Sequence, residues 1–144
     1  MKTVIAAIDF SDVSAKVLKQ ASELAKATGA KVTLVHGIEQ LAAFYDIYGY
    51  TIPDAANFET HARERAEDSL AERAKTLQLP AEQIDYKVLE GPFLETLLDY
   101  AKEANADLLI LGSHGHGVVA RMLLGSTAQR VISHTSIPTL IVPA

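Results

Sequence analysis

The chain has 144 residues and a net charge of −5, from thirteen basic and eighteen acidic side chains; this length suits one domain with its own core. The absence of cysteine excludes a disulfide framework, a thiolate zinc site and a cysteine nucleophile, and fits a cytoplasmic protein. The acidic balance lacks the basic stripe that a nucleic-acid partner needs, and no apolar run approaches the ~20 residues of a membrane span.

Residues 3–8 form a short β-branched run that Asp9 ends too early for a signal peptide, so a first strand is expected there. Ser11 is placed to cap a following helix, with Asp12 at its positive end. Val13, Val17, Leu18, Ala21, Leu24, Ala25 and Thr28 share one face of that helix, and Gly29 stops it in the left-handed conformation. Residues 31–36 read as a second strand with Val32, Leu34 and Val35 buried. Residues 39–53 hold Phe44, Tyr45, Tyr48 and Tyr50 without a period, beside Gly49 and Pro53. They read as a long loop across the end of the sheet, its aromatics packed on the domain's own core rather than over a ligand or partner.

A polar helix over residues 54–77 follows, with Ala62, Ala66, Ser69, Leu70, Arg73 and Leu77 facing inward and Glu59 and Arg63 four apart on a solvated face. Ile84, Tyr86 and Val88 alternate as a third strand that ends at Glu90-Gly91-Pro92. Pro92 suits the first turn of the next helix, which runs to about Asn105 with Phe93, Leu94, Leu97, Leu98 and Ala101 inward. Residues 107–112 are almost continuously apolar, the pattern of a central parallel strand covered on both faces. A loop over 113–124, a helix from Ser126 to about His134 and a strand over 138–142 complete the order βαβαβαβαβ. The class is α/β with a mainly parallel sheet.

The stretch Gly112-Ser113-His114-Gly115-His116-Gly117, followed by Gly125-Ser126-Thr127, lies where a strand ends and a helix begins. Glycines let backbone N–H groups approach a phosphate, a helix N-terminus supplies unpaired donors, and the Ser126 and Thr127 hydroxyls add more. A plain glycine-rich turn with Ser126 as N-cap gives the same letters. There is no G-x-x-x-x-G-K-[ST], and the first turn, Asp9-Phe10-Ser11, is not G-x-G-x-x-G. His114 and His116 make no metal site without a third ligand. His36 reads as a satisfied structural residue, and His61 and His134 as surface positions on helices.

The spacing adds weight to the phosphate reading. Gly112, Gly115, Gly125 and Ser126 stand in the register G-x2-G-x9-G-S, which resembles the ATP-binding signature of the universal stress protein family. The likeness extends to Ile8-Asp9-Phe10-Ser11, Val35-His36, Leu124-Gly125-Ser126-Thr127-Ala128 and Ile137-Pro138-Thr139-Leu140-Ile141-Val142, and so covers the whole chain. It implies a three-layer, doubly wound sandwich around a five-stranded sheet of order 3-2-1-4-5, with a crevice between strands 1 and 4. By the same resemblance Ala7 and Asp9 lie beside the adenosine, and Gly37 lines the base. Leu111 and Gly112 approach the ribose and α-phosphate, while Gly115, His116, Gly125, Ser126 and Thr127 surround the phosphates. ATP is the expected ligand, with ADP or AMP as alternatives and magnesium as a companion of the phosphates. Position 37 departs from the family, which more often has a larger apolar residue there. Either adenine is held more loosely, or Ile38 and the aromatic loop compensate.

Hydrolysis needs a group to orient water and charge to stabilise the transition state. The loop offers His114, His116 and Arg121 but no carboxylate. The expected role is therefore a regulator or sensor with little or no turnover and no catalytic residue. A slow ATPase or phosphotransferase and a nucleotide-free dimeric scaffold stand as alternatives. The apolar last strand, at the edge of the sheet, would leave backbone groups unpaired; pairing with its copy predicts a homodimer through 138–142, as the resemblance also implies.

Overall fold

The computed structural model describes residues 1–38, 55–114 and 124–144, the side chains of 55–58 excepted. The expected aromatic loop, and with it Phe44, Tyr45, Tyr48 and Tyr50, lies outside the described residues, as do Gly115, His116 and Arg121. The elements in chain order are β1 (Thr3–Ala7), α1 (Asp12–Thr28), β2 (Lys31–Ile38), α2 (Ala55–Lys75), β3 (Ile84–Glu90), α3 (Phe93–Glu103), β4 (Leu108–Gly112), α4 (Ser126–His134) and β5 (Thr139–Val142), with a short 3₁₀ turn at Ala81–Gln83. The five strands form one sheet of order β3-β2-β1-β4-β5, every pair parallel. This is the architecture expected from the strand-helix alternation and the resemblance.

Strand pleating sends alternate residues to opposite faces, and the two cores follow it. Val4, Ala6 and Ile8 join Val32 and Leu34 under α1 (Val17, Leu18, Ala21, Ala25), α2 (Leu70, Ala74) and Leu77 just past the end of α2. Ile5, Val35, Leu109 and Leu111 join Leu89 on the other face, under Leu97 and Ala101 of α3 and Val131 of α4. Leu109, Ile110 and Leu111 are buried, so the apolar run of β4 is indeed covered on both sides.

Some inward faces differ from the periodic reading because polar side chains find partners. On α1, Thr28 is exposed and its hydroxyl donates to the Leu24 carbonyl at 2.7 Å, whereas Ser14 and Ser22 are buried. Ser22 donates to the Leu77 carbonyl at 2.6 Å and so ties α1 to the end of α2. On α2 the buried positions are Ala66, Leu70 and Ala74, continued by Leu77 in the turn beyond it; Ser69 is exposed, since a spacing of four keeps to one stripe and Ser69 falls beside it. Arg63 pairs with Glu90 of β3, a cross-element partner that the local four-residue spacing from Glu59 did not indicate. Tyr86, one of the alternating residues of β3, is 42% exposed on this edge strand. Gly29 takes φ +75° at the end of α1, with its N–H on the Ala25 carbonyl at 2.8 Å, as its position predicted. The α3 helix stops at Glu103, and Asn105 beyond it takes φ 52°, a conformation that asparagine tolerates well.

Asp107, just before β4, stitches the start of the sheet. Its Oδ2 accepts the N–H of Lys2 at 2.7 Å and of Thr3 at 2.9 Å, and these two bonds hold the carboxyl below the usual aspartate range. A lowered folded-state pKa means that the stabilisation is whole above the unfolded value of about 3.9 and is lost as pH falls through the lower, folded value. Asp107→Ala is therefore expected to lower the urea midpoint at pH 6, with the gap to the native protein closing below about pH 4. A gap of the same size at pH 6 and pH 2 would contradict this.

Candidate functional site

In the order 3-2-1-4-5 the chain leaves β1 toward β2 on one side and returns through α3 to β4 on the other. The helices on the two sides diverge at the carboxyl ends of β1 and β4, and a crevice opens there. The structure has a cleft of about 680 Å³ at this point, within the range of about 300–1,000 Å³ typical of small-molecule sites. Ala7, Asp9, Gly37, Leu111, Gly112, Gly125, Ser126 and Thr127 all line it. Every sequence-predicted site residue that is described thus meets at one place; Gly115 and His116 are outside the described residues.

The β1–α1 turn builds one wall. Asp9 Oδ1 accepts the N–H of Ser11 at 3.0 Å and the hydroxyl of Ser14 at 3.1 Å, while Ser14 Oγ accepts the Asp9 N–H at 3.2 Å. Asp9 thereby folds the turn as an Asx motif. Ser11 is the N-cap of α1 by position, but its side chain makes no capping hydrogen bond. Its Oγ is buried at the cleft wall without a hydrogen-bond partner among the described residues. The expected cap is thus not formed, because Asp9 captures the turn instead. Between them Phe10 takes φ 63°, a left-handed backbone that costs a non-glycine residue about 1–3 kcal/mol. Its ring lies 4.5 Å from that of His36, centroid to centroid, and the Arg73 guanidinium stands 5.8 Å from the ring. His36 donates from Nδ1 to the Ile8 carbonyl at 2.8 Å, a satisfied structural histidine as expected, which also lines the cleft.

The opposite wall comes from β4 and α4. Gly112 is glycine for a reason of packing: a Cβ there would sit 2.7 Å from Val13 Cγ1. At this position α1 itself comes close to the backbone of β4. Ser113 is 5% exposed; its Oγ accepts the Ala144 N–H at 3.2 Å and shares a 2.8 Å hydrogen bond with His114 Nδ1. Gly125 is the N-cap of α4 and commits its N–H to the Ser113 carbonyl at 2.6 Å. Ser126 is therefore inside the helix and not its cap, which corrects the plain-cap alternative. Intrahelical bonding begins with Gln129 N–H to Gly125 at 3.1 Å, so the N–H groups of Ser126, Thr127 and Ala128 have no intrahelical acceptor. They and the exposed Ser126 and Thr127 side chains stand at the cleft. This end suits an anion.

The far end is apolar. Gly37 and Ile38 at the end of β2 meet Pro92 and Phe93 at the start of α3. Pro92 is the N-cap of α3, one position before the first turn where it was expected. Gly91 takes φ +116° and donates its N–H to the Ile38 carbonyl at 3.2 Å, fixing this corner. Asp9 is the only carboxylate, and no lysine or arginine occurs, among the described residues of the cleft. Ser11, Val13 and Phe93 were not singled out from the sequence as site residues. Ser11 was assigned to the helix cap, and the two apolar residues to the core.

Among the described residues no helix is long and apolar enough to cross a membrane, and no group of three or more His, Asp or Glu is placed to hold a metal ion. The model of the family described as the universal stress protein family matches residues 1–143. A relative from Thermus aquaticus, a universal stress protein in the QAH/OAS sulfhydrylase 3′ region, is 33% identical over 141 residues, covering 98% of each chain. A universal stress protein in complex with cAMP superposes with a TM-score of 0.65 at 25% identity, covering 98% of this chain and 95% of that one. The universal stress protein from Archaeoglobus fulgidus in complex with dAMP shares the fold, with a TM-score of 0.64 at 20% identity, covering 99% and 98%. On the strength of the family model and the Thermus relative, the chain belongs to the universal stress protein family.

Proposed function

We propose that this chain is a nucleotide-binding stress-response regulator that holds ATP in the cleft between β1 and β4. The observation that carries the reading is the polarity of the cleft from end to end. An apolar corner at Gly37 and Ile38 suits a base, and the open N-terminus of α4 suits phosphates. Asp9, between the two ends, is an acceptor for ribose hydroxyls; its charge would repel a phosphate. The partnerless Ser11 hydroxyl in the same wall is a further group for a polar ligand to satisfy. Two relatives with the same fold are complexes with cAMP and dAMP, which have adenine and a phosphate in common.

The described lining supports a reading of little or no turnover. A carboxylate tied to Ser11 and Ser14 is poorly placed to orient water, and no described cation faces the cleft. The bound nucleotide would act by changing a surface that a partner reads. Self-association fits β5, an edge strand whose Leu140 and Ile141 are only half-buried; sedimentation equilibrium at micromolar concentration is expected to give twice the mass of the chain.

Mass spectrometry of small molecules released from purified, denatured protein tests the ligand. ATP or ADP is expected from the native protein and not from a Gly115→Val/Gly125→Val variant. A native protein that releases no nucleotide and gives no calorimetric signal with added ATP would overturn the proposal and leave the dimeric scaffold.

A further inference from the structure

Position 37 is glycine for want of space. Its backbone is not left-handed; instead a Cβ built there would fall 2.5 Å from Cδ2 and 3.2 Å from Cε2 of Phe93. The volume that a side chain from β2 would occupy is taken by an aromatic ring from α3. Register explains the meeting. Residue 37 points to the same face of the sheet as Val35, where α3 packs, and pairs with Leu89 two residues before the Gly91-Pro92 turn that launches α3. Phe93 packs against the core of that face and also lines the cleft, so its ring is held from behind while presented to a ligand.

We infer that Phe93 determines base specificity: its ring, seated over Gly37, is the apolar contact surface for the nucleobase and favours a purine over a smaller pyrimidine. This rests on the nucleotide reading above. A base resting on an aromatic ring gains area and dispersion that a phosphate contact does not. Loss of the ring should therefore weaken base-bearing ligands and leave a bare polyphosphate unaffected. Base–aromatic contacts of this kind are worth about ten- to a hundredfold in affinity.

Calorimetry with ATP, CTP and inorganic tripolyphosphate on native protein, Phe93→Leu and Phe93→Ala tests the assignment. Leucine keeps an apolar side chain in the core, so Phe93→Leu serves if the alanine variant unfolds; thermal melting checks both. The expected result is about a tenfold or greater loss of ATP affinity, a fall in the ATP-to-CTP ratio and unchanged tripolyphosphate affinity. A Gly37→Val/Phe93→Ala variant, which refills the corner from β2, should recover part of the ATP affinity. If native protein binds ATP and folded Phe93→Leu keeps the native affinity and ratio, the assignment to Phe93 falls while the nucleotide reading stands. If native protein binds no nucleotide, both fall.

Discussion

Gly112→Val is expected to lower ATP affinity at least a hundredfold and to destabilise the fold by about 1–3 kcal/mol, the usual cost of overpacking. The Cβ alone would stand 2.7 Å from Val13 Cγ1 and 3.3 Å from the His114 carbonyl, and valine adds two further methyls to that same Cβ. Val13 belongs to the first turn of α1. Moving it displaces Ser11 and Ser14, the two residues that fix Asp9. Backbone on the other side is no softer, because Ser113 is bonded to Val142, to Gly125 and to Ala144. A denaturant titration and a calorimetric titration on the same preparation measure both effects. Native stability together with native affinity would mean that α1 and β4 do not approach as described.

Leu97→Ala is expected to cost about 2–5 kcal/mol, the range for removing a buried leucine without collapse of the cavity. Leu97 is fully buried in the cluster with Leu89, Leu109 and Val131, where β3, β4, α3 and α4 meet. It does not line the cleft, so the fraction that remains folded should bind ATP within a fewfold of native. Urea unfolding of the variant gives the first quantity and calorimetry at low urea the second. A loss under about 1 kcal/mol would show a site that closes up after truncation.

The architecture was legible because its signals are local. The run of residues 107–112, the stop at Gly29 and the alternation of strands with helical periods each need only a short window, and the strand order came from the family likeness. The cleft was partly legible for the same reason, since Asp9, Gly112 and Ser126 each stand at the end of a strand or the start of a helix. What stayed hidden depends on pairs far apart in the chain. The side chain that fills the space beside Gly37 is Phe93, and no window contains both residues. The Asp107 clamp on Lys2 and Thr3 and the bridge from Arg63 to Glu90 are hidden in the same way. Ser11 holds the N-cap position its place predicted, but its side-chain bond is missing for a different reason: Asp9 two residues earlier takes up the turn. Gly112 was assigned to the cleft, which it lines, but its close approach to Val13 of α1 was hidden for the same reason of distance along the chain.

The central claim is that one ligand spans the cleft from Gly37 to Ser126. A titration of isotopically labelled protein with ATP, followed by backbone amide chemical shifts, tests it most directly. Saturable shifts are expected at Asp9, Gly37, Gly112, Ser126 and Thr127, with Tyr86 and Lys87 on the far edge of the sheet, and Arg63 of α2 beside that edge, unmoved. Shifts confined to that edge, or none at millimolar ATP, would contradict it.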